Sequence, residues 1–167
     1  MNSDFTELCK VYRFTREAHA GMTRKNGDSF ISHPKEVYRT VRDYGGDKIS
    51  RFAALLHDVV EDTRFSLSDI ETKFGKEVSF IVDGLTGKGL EEVVERLKEY
   101  SKRDKRVILV RLGDIRHNLL TPINTLKERY KKYVEVAIIM GREFGYERIA
   151  DDVERVYLEL IQKNGTR

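Results

Sequence analysis

The chain has 167 residues, of which 40% are hydrophobic and 35% are charged, a balance that is ordinary for one globular domain. Its net charge of +3 is too small to indicate nucleic-acid binding, although it allows an anionic ligand. The single cysteine, Cys9, excludes an internal disulfide. Since there is no signal-peptide pattern and no apolar run near the ~20 residues of a membrane span, we expect a cytoplasmic protein.

Apolar residues at helical spacing, separated by caps and glycines, predict an all-α fold. We expect a bundle of roughly eight to ten helices. The predicted helices cover residues 3–19, 34–45, 47–62, 66–74, 76–83, 90–102, 107–121, 125–141 and 146–163. The segment 107–121 begins with a β-branched run that would also fit a strand, but its later polar residues follow helical spacing. The last two helices carry apolar stripes and are expected only to pack.

The central segment, Ala53–Thr63, reads AALLHDVVEDT and sets three carboxylates beside a histidine. On one continuous helix, Asp58, Glu61 and Asp62 would share a face at i, i+3 and i+4, with His57 on its flank. Their repulsion near a helix C-terminus is unfavourable, and a bound cation would remove it. The alternative is a solvated acidic helix end, which the surrounding apolar residues disfavour.

A second polar set lies in the string VILVRLGDIRHNLLT, where Asp114, His117 and Asn118 repeat that spacing. A carboxylate in so apolar a segment costs free energy unless it is paired or binds a metal. Pairing with Arg111 or Arg116 is therefore one interpretation of Asp114, and metal binding is the other.

Two histidines and two aspartates together would suit a divalent transition ion such as manganese, iron, cobalt or zinc. These are His33, His57, Asp58 and Asp114. Four such ligands leave positions for water and substrate, as a catalytic metal requires. Their spacing is dispersed and by itself a weak signal, and His33, directly before Pro34, also fits a structural or capping role.

Longer strings resemble a known family. The order His33, His57-Asp58, Asp114 is similar to the HD superfamily of metal-dependent phosphohydrolases. The strings RKNGDSFISHP, AALLHDVVEDT, FGKEVSFIVDGLTGK and VILVRLGDIRHNLLT resemble, in order and spacing, the hydrolase domain of the RelA/SpoT alarmone enzymes. The likeness covers about residues 19–121, with packing helices over about 122–163. The resemblance implies a single, stand-alone hydrolase domain over 1–167, because the chain lacks room for the family's synthetase domain.

The resemblance also implies roles for individual residues. The metal ligands would be His33, His57, Asp58 and Asp114, with manganese the usual ion. Glu61 and Asp62 would position and activate the attacking water. The expected substrate-binding residues are Arg24, stacked on the base, Lys25 near phosphate, and Asn118 and Thr121 in the nucleoside pocket.

Three departures from the family pattern affect the substrate end of the site. Arg116 stands one position away from the usual arginine, which rotates it by ~100° around a helix. Phe30 replaces a tyrosine and removes its hydroxyl. The segment after Gly84 is shorter than in long family members, so part of the pocket rim differs.

The expected reaction is hydrolysis of guanosine tetra- or pentaphosphate at the 3′-diphosphate, giving GDP or GTP and pyrophosphate. One alternative is a hydrolase for another nucleotide, either 2′- or 3′-phosphorylated or a 5′-nucleotide. The other is a sensor that binds an alarmone without cleaving it. The Glu61-Asp62 pair argues against a sensor, because binding alone does not need it. We expect a small-molecule nucleotide partner and neither nucleic acid nor membrane, and the sequence does not predict an oligomeric state.

Overall fold

The structure, a computed structural model, describes residues 3–24, 26–121 and 128–165. Its regular elements are helical, apart from an isolated bridge between Thr23 and Ser29. The helices in these ranges are α1 (Ser3–Ala18), α2 (Ser32–Asp43), α3 (Lys48–Leu56), α4 (Val59–Asp62), α5 (Leu67–Phe74), α6 (Lys76–Leu85), α7 (Leu90–Ser101), α8 (Arg106–Leu120), α9 (Glu128–Glu143) and α10 (Glu147–Gly165). The all-α prediction is confirmed, including the helical assignment of α8. In the described ranges, every helix is too short or too polar to cross a bilayer.

The second helix begins earlier than the sequence predicts. Pro34 was expected at its first position, but α2 starts at Ser32. Proline fits anywhere in the first turn, because the backbone N–H groups there have no intrahelical partner. This start places His33 inside the first turn of α2, where its side chain is buried.

The central helix is not continuous, so the prediction of one helix over residues 47–62 is wrong. Helix α3 ends at Leu56, and Asp58 has φ −92° and ψ −8°, which departs from helical geometry. The ring of His57 contacts the carbonyl oxygen of Ala54 through Nδ1 at 2.9 Å. In a continuous helix that oxygen would accept the N–H of residue 58, so a side-chain donor competes with the backbone ladder at this point. Glu61 and Asp62 therefore lie on a separate turn, α4.

Helix α8 lies at the centre of the fold and is buried along most of its length. It packs against α2, α3, α9 and α10. Gly113 permits the close approach of α2, because a β-carbon there would lie 3.3 Å from Cγ2 of Val41 and 3.4 Å from Cγ1 of Val37. This contact brings the start of α2 and the middle of α8 together.

The C-terminal helices cover the far side of α8. Buried apolar residues on α9 and α10, such as Val134 and Val153, belong to the same core as α8. A polar contact joins the layers at Asp152, which accepts hydrogen bonds from Nε of Arg116 at 2.5 Å and from the hydroxyl of Tyr44 at 2.7 Å. The shifted arginine thus contacts α10.

We expect Asp152→Asn to lower stability mainly above pH 4. Burial would raise the pKa of Asp152, but hydrogen bonds from Arg116, Tyr44 and Arg155 lower it to about 2. A carboxylate with a lowered pKa stabilises the folded state above its unfolded pKa of about 4, and that contribution is lost as pH falls through the folded value. The variant should lose about 1–2 kcal/mol at pH 7.

Urea unfolding of the two proteins between pH 7 and pH 3 measures this difference. Asp151→Asn is the matched control, because Asp151 pairs with Arg142 at the surface with 64% of its side chain exposed, against 13% for Asp152. An exposed pair contributes little, so this control should change less. A gap between wild type and Asp152→Asn that does not narrow toward acid pH would contradict the assignment.

Candidate active site

A cleft of about 470 Å³ opens where α2, α4 and α8 meet. It is large enough for a small ligand. Its walls combine cationic, anionic and aromatic side chains. The lining residues are Thr23, Arg24, Phe30, His33, Asp58, Glu61, Asp62, Arg111, Asp114, Asn118, Thr121 and Tyr130.

The two histidines and two aspartates singled out in the sequence converge at the base of this cleft. The nearest ligand atoms of His33, His57 and Asp58 lie within 4.8 Å of one another. Nε2 of His33 is 3.2 Å from Nε2 of His57 and 3.4 Å from Oδ2 of Asp58. Oδ1 of Asp114 lies 3.2 Å and 3.7 Å from the same two imidazole nitrogens. Segments far apart in sequence thus present two nitrogens and two carboxylates to one point.

Neighbouring groups orient these four side chains. A carbonyl oxygen can only accept, so the contact between His57 Nδ1 and Ala54 places a proton on Nδ1 and turns Nε2 toward the cluster. Asp114 accepts hydrogen bonds from Nη1 of Arg111 at 3.0 Å and from Nδ2 of Asn118 at 2.6 Å. Both interpretations of Asp114 are compatible with this geometry, since it pairs with Arg111 and also faces both histidines.

Electrostatics at the cluster favour positive charge. Burial lowers the pKa of His57, but the carboxylates of Asp58 and Asp114 outweigh it and raise the pKa to about 10. For Asp114 burial acts in the opposite direction and would raise the pKa. Hydrogen bonds to His33 and His57 and the charge of Arg111 nevertheless hold this pKa well below its usual range. Imidazole nitrogens and carboxylates in a buried, electronegative cluster fit a divalent transition metal.

The Glu61-Asp62 pair lies beside this cluster on α4, and both side chains line the cleft. Burial and the charge of Asp58 raise the pKa of each carboxyl group. Oε1 of Glu61 accepts the backbone N–H of Gly87 at 2.7 Å. A β-carbon at Gly87 would lie 2.9 Å from Cγ2 of Val93, so the backbone there approaches its neighbours closely.

The predicted substrate-binding residues partly join the same cleft. Nη2 of Arg24 donates to Oδ1 of Asn118 at 3.1 Å, and Asn118 donates in turn to Asp114. Nη1 of Arg24 is buried without a hydrogen-bond partner among the described residues. Thr121 lines the cleft and donates to the carbonyl of His117 at 2.9 Å. Lys25 lies outside the described residues.

Tyr130 and His117 were not among the site residues predicted from the sequence, although His117 belongs to the second polar set with Asp114 and Asn118. Tyr130 on α9 lines the cleft, so the expectation that the C-terminal helices only pack is wrong at this position. Its buried hydroxyl has no hydrogen-bond partner within the described part of the chain. His117 contacts His33, and burial together with the charges of His33 and Arg24 lowers its pKa to about 4. Nothing in the local pattern around Tyr130 distinguishes it from a packing residue.

A sequence model of the HD domain matches residues 12–137, which include the whole cluster and Tyr130. The chain belongs to the HD domain family. The likeness that the motifs predicted is therefore confirmed. This HD domain is 38% identical over 124 residues to a probable guanosine-3′,5′-bis(diphosphate) 3′-pyrophosphohydrolase of Synechocystis sp., an alignment that covers 68% of this chain and 16% of that protein.

Other relatives are named either as pyrophosphohydrolases or as pyrophosphokinases. This chain is 31% identical over 159 residues to a guanosine-3′,5′-bis(diphosphate) 3′-pyrophosphohydrolase of Aquifex aeolicus, covering 89% of this chain and 23% of that protein. It is 33% identical over 138 residues to a GTP pyrophosphokinase of Streptomyces coelicolor, covering 78% of this chain and 16% of that one. The chain thus spans less than a quarter of these curated relatives.

Solved structures share the fold of the HD domain. One described as a metazoan ortholog of SpoT that hydrolyses ppGpp aligns with a TM-score of 0.74 at 23% identity, covering 92% of this chain and 94% of that one. A protein of Listeria monocytogenes EGD-e aligns with a TM-score of 0.60 at 25% identity, covering 78% and 99%.

Proposed function

We propose that this HD domain hydrolyses guanosine tetra- or pentaphosphate at the 3′-diphosphate, releasing GDP or GTP and pyrophosphate. The observation that carries the proposal is the cleft itself, in which the buried His and Asp cluster and the Glu61-Asp62 pair face one space. The names of the Synechocystis and Aquifex relatives support the substrate class. The lining combines the guanidinium groups of Arg24 and Arg111 with the carboxylates, which suits a ligand with an anionic end and a polar base.

The proposed metal ligands are His33, His57, Asp58 and Asp114, and the proposed ion is Mn²⁺. A divalent ion there would lower the pKa of a bound water and draw charge from the phosphoryl group. The chain's contribution is orientation. Ala54 holds the ring of His57, while Arg111 and Asn118 hold the carboxylate of Asp114.

Glu61 and Asp62 have different proposed roles toward the attacking water. Because Oε1 of Glu61 already accepts the N–H of Gly87, we assign Glu61 to orienting the water and Asp62 to accepting its proton. The water oxygen forms a bond to the phosphorus that carries the 3′-ester, and the bond from that phosphorus to the ribose 3′-oxygen breaks. The proton that the water loses to Asp62 passes to the 3′-oxygen, directly or through solvent, so the nucleoside leaves with a free 3′-hydroxyl group.

The proposed contacts to the nucleoside and the phosphates come from Arg24, Asn118, Thr121 and Lys25. The planar guanidinium of Arg24 can stack on a purine, and its buried Nη1 still offers a donor. Asn118 bonds Arg24 on one side and Asp114 on the other, so it positions both groups as well as facing the cleft. Phe30 lines the cleft and offers the ligand an aromatic ring without a hydroxyl group.

The test is a panel of nucleotides incubated with Mn²⁺-loaded protein, with products identified by chromatography. We expect guanosine tetraphosphate to be cut far faster than GTP, ATP or 5′-monophosphates, with intact pyrophosphate as a product. Arg24→Ala should weaken substrate binding and leave bound metal unchanged, because Arg24 is linked to the cluster through Asn118 and is not itself a proposed ligand. Cleavage of another nucleotide alone would refute the alarmone assignment, and binding without cleavage would favour a sensor.

A further inference from the structure

His117 lies on α8 one turn after Asp114, and its half-buried ring packs against the ring of His33 with centroids 4.9 Å apart. The two Nδ1 atoms are 2.8 Å apart, a hydrogen-bond distance. Two nitrogens this close cannot both carry a proton, so one donates and the other accepts.

The position of His33 decides the direction of this bond. Its Nε2 faces His57, Asp58 and Asp114 at 3.2–3.4 Å and is the nitrogen available to a metal. A metal ligand needs a free lone pair on that nitrogen, so the neutral ring must carry its proton on Nδ1. Nδ1 of His117 must then accept the hydrogen bond that Nδ1–H of His33 donates.

The two histidines of the cluster are held differently. His57 directs Nδ1 at the backbone carbonyl of Ala54, an acceptor that no side-chain substitution removes. His33 directs Nδ1 at a side chain, and that side chain accepts only in one of its two neutral tautomers. The orientation of His33 therefore depends on the identity of residue 117.

We propose that His117 is a positioning residue, whose Nδ1 accepts the Nδ1–H of His33 and so keeps Nε2 of His33 directed at the metal. The inference rests on the metal centre of the proposed function and is independent of which nucleotide is cleaved. Acceptors of this kind fix the tautomer and the ring orientation of a metal-binding histidine.

Three substitutions separate this role from simple packing. Oδ1 of His117→Asn stands at about the place of Nδ1, so the variant keeps the acceptor. His117→Gln places its oxygen near the position of Nε2, and His117→Leu keeps volume without an acceptor. Mn²⁺ binding to the full chain, measured by calorimetry, should weaken about 10–100-fold in the Leu and Gln variants and by only a few-fold in His117→Asn. If His117 acted through packing alone, the His117→Leu protein would bind Mn²⁺ at least as tightly as the His117→Asn protein.

Nitrogen NMR gives a readout that does not depend on catalysis. A ¹⁵N–¹⁵N coupling across the hydrogen bond should join Nδ1 of His33 to Nδ1 of His117, with the proton on His33 in the Zn²⁺-loaded protein. Wild-type Mn²⁺ affinity in folded His117→Leu, or no such coupling in wild type, would overturn the proposal. If His117→Leu does not fold, the Asn and Gln pair makes the same comparison. Protein that shows the coupling but ignores guanosine tetraphosphate would refute only the substrate assignment.

Discussion

Asp114→Ala should remove most of the bound transition metal and abolish hydrolysis. The carboxylate lies 3.2 Å from Nε2 of His33 and is held by Arg111 and Asn118, so the substitution removes an oriented oxygen from the proposed ligand set. Elemental analysis of the purified, folded variant measures the loss. Full metal occupancy in that variant would remove Asp114 from the set of ligands.

This substitution also leaves the buried guanidinium of Arg111 without its carboxylate, which typically costs about 3–5 kcal/mol. A double variant, Arg111→Met with Asp114→Ala, removes the unpaired charge, so it should recover stability without recovering metal. Asp152→Ala is the second control, because it breaks an arginine pair away from the cleft and should keep its metal.

Asp62→Asn should slow hydrolysis by about 10²–10⁴-fold, the usual loss for a general base, with metal content and nucleotide affinity nearly unchanged. Glu61→Gln should have a smaller effect, because its side-chain oxygen can still accept the N–H of Gly87 and hold the water. Single-turnover rates at saturating Mn²⁺, together with equilibrium binding of the nucleotide, separate chemistry from binding.

Which of the two variants loses more of the hydrolysis rate tests the roles assigned to Glu61 and Asp62. A greater loss in Glu61→Gln than in Asp62→Asn would reverse the assignment of the proton acceptor. Near wild-type turnover in both would exclude the pair from proton transfer.

Local sequence information was sufficient for the fold, whereas the members of the cluster were predicted from the family resemblance, because their spacing alone is a weak signal. Apolar periodicity and caps predicted the helices because both act within a few residues, as at Ser66, which forms a capping box with Asp69 at the start of α5. The His and Asp motifs converge in the structure as expected. The break at His57 was missed, because a ring hydrogen bond to Ala54 competes with the helix there and periodicity does not register it.

Other features depend on contacts between segments distant in sequence. The N–H of Gly87 that holds Glu61 is a backbone group, which any residue type except proline would supply. Tyr130 lines the cleft from α9, a helix whose apolar stripe predicted only a packing role. The sequence predicted that Arg116 is rotated away from the family's usual position, but its partner Asp152, 36 residues later, has no local signal.

The physical unit that supports the cleft is larger than the region by which the family is defined. The HD domain match ends at residue 137, within α9, whereas α10 begins ten residues later and packs directly on α8. At Gly141 the three helices are so close that a β-carbon would lie 2.7 Å from Leu112 and 3.0 Å from Ala150. Leu112 is fully buried and is separated from Asp114 only by Gly113. Truncation at the family boundary would therefore expose the back of the helix that carries Asp114, and cooperative unfolding of this HD domain should include α10.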